Sequence, residues 1–168
     1  MFNIPLTSHK QLDIYLYFRH WFMVLSQINK ITVLGTGRLA SQLSRALFEA
    51  GCIIHQVYGR NETKARSLAE SCNARHITDI HNVDLVADMI IICITDDAIE
   101  EIVNNLEIDD RIIVHTSGSL PADIFKSRAK NYGVFYPLQT FSKQRTIDFR
   151  KVPVCIEANS SHNEGLLM

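Results

Sequence analysis

The segment with the clearest chemical meaning is the run Gly35-Thr36-Gly37-Arg38-Leu39-Ala40, which has the pattern G-x-G-x-x-A. The apolar residues 31–34 before it predict a buried parallel strand, and residues 38–50 after it predict a helix. A strand, a glycine turn and a helix in this order can bind the pyrophosphate of a dinucleotide, because the start of a helix offers unpaired N–H groups and a positive dipole end.

Each small residue of this run has a specific predicted role. Gly35 allows the tight turn, Gly37 allows the backbone to approach a pyrophosphate, and Ala40 allows the helix to pack closely on the strand. The alternative is an ordinary connection between a strand and a helix that happens to contain two glycines. The context of the run favours the dinucleotide site.

A second chemical signal follows the second predicted strand. An NAD site normally has a carboxylate there, about 20 residues beyond the glycines, to bind the ribose 2′-hydroxyl. Residues 51–61 contain no acid, and Arg60 and Asn61 stand at this point instead. Arg60 can hold a 2′-phosphate and Asn61 can add a donor, which favours NADP(H) over NAD(H). The alternative is that Arg60 is a solvated loop residue.

Polar residues also follow the fourth and fifth predicted strands. Thr95 and the acids after it can cap a helix or carry acid–base chemistry, and capping is the favoured interpretation. His115 is a candidate proton donor or a satisfied core histidine, two alternatives that the sequence leaves open. Ser117 is placed near a nicotinamide or substrate, and Ser119 is expected to cap the helix that follows. Residues 136–142 form either a ligand wall or a turn.

Composition limits the class of protein. The chain has 168 residues, 46% of them hydrophobic and 21% charged, and a net charge of −1. This predicts one globular domain, and it argues against a nucleic-acid partner that depends on phosphate neutralisation. Four cysteines without a C-x-x-C spacing indicate reduced thiols in a cytoplasmic protein, not a disulfide framework or a zinc site. No metal-ligand spacing is present.

Alternating strand and helix patterns place these residues in one architecture. Strands are predicted at 31–34, 53–58, 75–77, 89–94, 112–115, 133–136 and 152–158. Helices are predicted at 38–50, after Asn61, around 99–106 and at 121–130. The fold class is therefore α/β, with a Rossmann-type, doubly wound, mostly parallel sheet covered by helices on both faces. Ligands of such sheets bind at the carboxyl ends of the strands.

Residues 1–29 are predicted to be an N-terminal extension. The aromatic and apolar stretch 12–25 is too short to span a bilayer and lacks a signal-peptide cleavage site, so no membrane association is expected. Met23 lies just before the first strand, so residues 1–22 are either an extension or a mistranslated upstream start. The competing interpretation is an amphipathic helix that covers a hydrophobic surface.

Several of these motifs together resemble one family. They are Gly35–Ala40, Gly59-Arg60-Asn61, residues 94–99, His115-Thr116-Ser117-Gly118 and residues 136–142. In them the chain resembles, over residues 30–158, a group of Rossmann-like oxidoreductases with an appended helical domain, related to pyrroline-5-carboxylate reductase and deazaflavin-dependent NADP reductases. The resemblance implies that the glycine run, Arg60 and Asn61 hold NADP, with Thr95 and Ser117 near the nicotinamide.

The same resemblance implies a C-terminal helical domain that dimerises and closes the substrate cleft, so residues 159–168 are expected to begin that domain. The chain is then a fragment or a truncated product, or a partner supplies the remainder. The expected function is an NADP(H)-binding domain of an oxidoreductase that transfers hydride to or from a small carbonyl or imine, with His115 and Ser117 as catalytic candidates. The alternatives are a non-catalytic nucleotide-binding or redox-sensing module and a methyltransferase, which the missing ribose-binding acid disfavours.

Overall fold

A computed structural model describes residues 28–142 and 147–168. They form a seven-stranded sheet in the order β3-β2-β1-β4-β5-β6-β7. The strands are β1 (Lys30–Leu34), β2 (Ile53–Tyr58), β3 (Arg75–Ile77), β4 (Met89–Ile92), β5 (Ile112–His115), β6 (Asn131–Pro137) and β7 (Val154–Ala158). The predictions for residues 1–22 and 12–25 lie outside the described residues.

In the described part of the chain, four α-helices accompany the sheet: α1 (Arg38–Glu49), α2 (Glu62–Glu70), α3 (Asp96–Asn105) and α4 (Ser161–Leu167). All neighbouring strands pair in parallel except β6 and β7. The first described strand, β1, lies inside the sheet, and the strand order reverses between β1 and β4, which is where ligands of doubly wound sheets bind.

Two apolar clusters pack on opposite faces of the sheet. Leu43 of α1 and Leu68 of α2 belong to one cluster, and Ile99 and Val103 of α3 belong to the other. All four residues of β4 are buried, as expected for a central strand covered on both sides. The structure therefore confirms the predicted α/β class and the mostly parallel, doubly wound sheet.

The predicted helix at 121–130 is wrong. Only a short 3₁₀ turn forms there, at Ala122–Phe125. The cause is the tight connection, because Phe125 must enter the core, where it is fully buried, and Asn131 must already pair with Ile112 at the start of β6. The predicted strands at 89–94 and 152–158 are also shorter, and they cover Met89–Ile92 and Val154–Ala158.

The last described residues pack on the sheet. Ser160 caps α4 by accepting a hydrogen bond from the Asn163 N–H at 3.1 Å, and Leu167 is buried in the same cluster as Leu43. Within residues 28–142 and 147–168, no helix has the length and apolar character needed to cross a membrane.

Candidate dinucleotide-binding site

The glycine turn joins β1 to α1 at the reversal of strand order. Gly35 has φ +132°, and its N–H donates to the carbonyl of Tyr58 at 2.9 Å. A β-carbon on Gly35 would overlap the carbonyl of Cys93 at the end of β4. Both its φ angle and this close contact require glycine at the position.

Gly37 differs from Gly35 because open space surrounds it. It is the N-cap of α1, and a β-carbon there would meet no atom within 4 Å. No side chain among the described residues caps this helix. Leu39 packs on the core and Ala40 is fully buried, so their side chains point away from the ligand side. Because no described side chain caps the helix, the backbone N–H groups of its first turn are available to a ligand. An anion can therefore approach both Gly37 and the positive end of α1.

A cleft of about 900 Å³ lies beside this turn, between α1 and α2. Three cations and one acid line it: Arg38, Arg45 and Lys64, with Glu49 at the far end. Its other lining residues are Thr36, Gly37, Ser41, Gln42, Ala46, Thr63, Ser67, Leu68, Ser142 and Ile147. The excess of positive charge suits a phosphate-bearing ligand.

The residues after β2 lie next to the glycine turn. A β-carbon on Gly59 would come within 2.5 Å of Thr36 Cγ2, so the two connections are in close contact. Arg60 is exposed, and Asn61 Oδ1 accepts a hydrogen bond from the Lys64 N–H at 3.0 Å, which confirms that Asn61 caps α2. The nearest acid, Glu62, pairs with Arg66 one turn along the helix.

Thr95 occupies the N-cap position of α3, but its side chain makes no capping hydrogen bond. It is exposed at the carboxyl end of β4, and Asp96 and Asp97 form the first turn after it. The two acids complement the helix dipole, as the capping interpretation predicts.

His115 is buried at the end of β5 and has no exposed surface. Its Nδ1 accepts a hydrogen bond from the Ser117 N–H at 3.2 Å, so the proton resides on Nε2, which lies 3.3 Å from the carbonyl oxygen of Pro121. Burial lowers the pKa of His115, although the Pro121 carbonyl and the charges of Asp96 and Glu157 act in the opposite direction. This geometry supports the second of the two interpretations, a neutral core histidine satisfied by backbone groups.

Ser119 does not cap a helix, so that prediction is wrong. Ser117 organises the turn instead, because its Oγ accepts hydrogen bonds from the N–H groups of Ser119 and Leu120, both at 3.1 Å. Ser119 Oγ donates to Asp96 at 2.5 Å. Gly118 lies between the two serines, and a β-carbon there would come within 2.7 Å of the Tyr136 ring.

Ser142 and Ile147, from the connection between β6 and β7, line one side of the cleft. Gln42 contacts both residues, because its Nε2 donates to the Ser142 carbonyl and its Oε1 accepts from the Ile147 N–H, each at 3.0 Å. Arg38 also donates to the carbonyl of Phe141, at 3.4 Å. Residues 136–142 thus contribute to a wall as well as a turn.

Sequence reasoning missed two groups at this site. Lys64 stands three residues after the N-cap Asn61, a spacing that places it on the first turn of α2 and could have indicated its role. Gln42 contacts residues about 100 positions away in the chain, and no local pattern predicts such a contact. Among the described residues, no group of three or more metal-binding side chains comes together.

Comparison with known proteins agrees with this geometry. Residues 30–118 match the family described as NADP oxidoreductase, coenzyme F420-dependent. The chain belongs to this family. The match begins at β1 and ends at Gly118, so it contains the glycine turn, Arg60, Asn61, Thr95 and Ser117. The chain therefore carries a nucleotide-binding domain of an oxidoreductase family.

Solved structures resemble the chain as well. A "putative NADP oxidoreductase" from Bacteroides fragilis is 38% identical over 84% of this chain and 56% of its own length, with a TM-score of 0.76. Two more distant structures share the fold. A pyrroline-5-carboxylate reductase from Coxiella burnetii is 19% identical over 67% of this chain and 45% of its own, with a TM-score of 0.58. A prephenate dehydrogenase from A. aeolicus in complex with NAD+ is 15% identical over 77% of this chain and 50% of its own length, with a TM-score of 0.65.

The chain spans about half the length of these relatives. No functionally curated protein matches it. The family match and these structures confirm the predicted resemblance to a Rossmann-like NADP oxidoreductase family related to pyrroline-5-carboxylate reductase.

Proposed function

We propose that the chain binds NADP(H) at the glycine turn and is the cofactor-binding part of an oxidoreductase. The observation that carries this proposal is the open space at Gly37 beside the uncapped start of α1, at the point where strand order reverses. When bound, the nicotinamide supplies or accepts a hydride, and a small carbonyl or imine is the proposed partner in that transfer. The chain's own residues bind and orient the dinucleotide.

Arg60 supports the choice of NADP(H) over NAD(H). It follows β2, where a ribose-binding acid would otherwise stand, and it is exposed. Lys64, four residues further along the chain, lines the cleft. A 2′-phosphate would be attracted by these two cations, whereas a carboxylate at the same place would repel it. The NH2 group of Asn61 is a further donor.

Isothermal titration of the chain with NADPH and NADH tests this proposal. NADPH should bind more tightly than NADH, and Arg60→Ala should weaken NADPH about tenfold or more while it changes NADH little, because a charge-assisted hydrogen bond contributes about 1.5–3 kcal/mol. Arg150→Ala is the matched control, since Arg150 is a highly exposed arginine that pairs locally with Asp148. Equal affinities of the chain for both cofactors would refute the NADP preference.

The buried His115 favours a second candidate, a nucleotide-binding or redox-sensing module without its own catalysis. Both ring nitrogens of this histidine are engaged by backbone groups, and its Nε2 proton is directed at the Pro121 carbonyl and not at the cleft. Loss of NADPH absorbance with a panel of small aldehydes, ketones and cyclic imines would support catalysis. Cofactor binding without turnover would support the module.

We further propose a small-molecule substrate, a homodimeric longer protein, and no nucleic-acid or membrane partner. The near-neutral net charge supports the absence of a nucleic-acid partner. The four free cysteines suit a reducing, cytoplasmic location.

A further inference from the structure

A chain of hydrogen bonds links the polar residues that follow β4 and β5. Ser119 Oγ donates to Asp96 Oδ2 at 2.5 Å, and Ser117 Oγ lies 3.2 Å from Ser119 Oγ. Ser117 Oγ also accepts the two backbone N–H groups that shape its turn. Asp96 thus connects the start of α3 to the connection after β5.

The number of protons fixes the direction of this chain. A serine hydroxyl has one proton and two lone pairs. Ser119 donates its hydroxyl hydrogen bond to Asp96, so Ser117 must be the donor in the contact between the two hydroxyls. Ser117 then has no hydrogen-bonding capacity left, whereas Ser119 retains one lone pair. Toward a ligand Ser119 can therefore only accept a hydrogen bond, and its hydrogen bond to the carboxylate makes it a stronger acceptor.

The position of Ser119 suggests which donor it meets. Ile92 of β4 lies between Leu34 of β1 and His115 of β5 in the sheet, so Asp96 and Ser119 stand just beyond the strand ends beside the glycine turn. Both residues are exposed. A dinucleotide whose pyrophosphate lies at Gly37 extends along this edge, and its nicotinamide end carries one conspicuous N–H donor, the carboxamide NH2.

We propose that Ser119, oriented by Asp96, accepts a hydrogen bond from the nicotinamide carboxamide and thereby positions the nicotinamide end of the cofactor. Ser119 is a positioning residue in this account, and Asp96 acts through it. The inference rests on the proposed function, because it assumes that the dinucleotide binds at the glycine turn.

Two ligands separate the nicotinamide end from the rest of the cofactor. NADP+ contains the carboxamide, whereas adenosine 2′,5′-bisphosphate carries the 2′-phosphate and lacks the nicotinamide. Both are titrated calorimetrically against the wild-type chain, Ser119→Ala, Ser119→Thr and Asp96→Asn. Ser127→Ala is the control, because Ser127 is an exposed serine in the connection that precedes β6.

Ser119→Ala should weaken NADP+ about threefold to tenfold, the effect of one hydrogen bond, while adenosine 2′,5′-bisphosphate changes less than twofold. Ser119→Thr should retain the wild-type ratio of the affinity for NADP+ to the affinity for adenosine 2′,5′-bisphosphate, since it keeps the hydroxyl. Asp96→Asn should lower this ratio, because Ser119 loses its charged partner. Circular dichroism checks that each variant is folded.

Unchanged affinities for both ligands in Ser119→Ala would overturn this inference and leave the proposed function standing. Equal weakening of both ligands would also overturn it, because it would indicate a purely structural serine. Failure of the wild-type chain to bind either ligand would instead contradict the proposed function, and the inference with it.

Discussion

The backbone of Gly35 lies so close to the carbonyl oxygen of Cys93 that a β-carbon on residue 35 would overlap it. The Cys93 N–H in turn donates to the carbonyl of Leu34 at 2.7 Å. These contacts connect the carboxyl ends of β1 and β4, the two strands between which the sheet order reverses. They hold the turn that carries Gly37 in a fixed position relative to Thr95 and Asp96.

Alanine substitutions at the two glycines of the turn should have different effects on stability. Gly35→Ala should lower the free energy of unfolding by about 2–4 kcal/mol, because φ is +132° there and the new methyl group meets backbone. Gly37→Ala should lower it by less than about 1 kcal/mol, because the site is open and only the N-cap preference is affected. Urea denaturation measures both, and equal losses would contradict this account of the turn.

The four cysteines should differ sharply in reactivity. Cys155 is exposed, whereas Cys52, Cys72 and Cys93 are buried, and burial raises the pKa of Cys93 to about 12. Because the thiolate is the reactive form, we expect one rapid equivalent with a thiol reagent at pH 8 and three slow ones that appear on unfolding. Cys155→Ser should abolish the rapid phase. A rapid phase that remains in Cys155→Ser would contradict this prediction, because it would show that one of the three buried cysteines is accessible to the reagent.

Stability should depend on pH through His115. Burial holds its folded pKa below the ordinary value of 6.5, so the unfolded chain binds a proton more readily than the folded chain does. The stabilisation is therefore complete above pH 6.5 and is lost as the pH falls from there toward the lower folded pKa. Urea denaturation between pH 8 and pH 5 should show this loss, and His115→Gln should reduce the slope. An unchanged slope in that variant would assign the effect to other groups.

Gln42 should be important for the wall of the cleft. Gln42→Ala removes the partners of the Ser142 carbonyl and the Ile147 N–H, so we expect the free energy of unfolding to fall by about 1–2 kcal/mol. Glu49→Ala, on an exposed position of the same helix, is the control. A difference between the two variants below about 0.5 kcal/mol would contradict the role given to Gln42, since exposed substitutions usually fall within that range.

Local patterns predicted the elements whose cause is local. The continuous apolar run at β4, the Asn61 cap and the glycine turn were all visible in the sequence, because strand burial, capping and turn geometry depend on neighbouring residues. The 3₁₀ turn at Ala122–Phe125 was not visible, because the burial of Phe125 and the pairing of Asn131 determine it. Contacts such as those between Ser119 and Asp96, or Gln42 and Ser142, depend on the completed sheet and could not be read from spacing.

One measurement tests most directly whether the dinucleotide lies at the glycine turn. Backbone amide resonances of the ¹⁵N-labelled chain are followed by NMR as NADP+ is added. If the pyrophosphate binds at the start of α1, the largest chemical-shift changes should belong to the amides of Gly37, Arg38, Leu39 and Ala40. Gly37→Ala should also weaken the binding of NADP+. Saturable binding that leaves these four amides unshifted, or no binding at all, would contradict the assignment of this turn as the cofactor site.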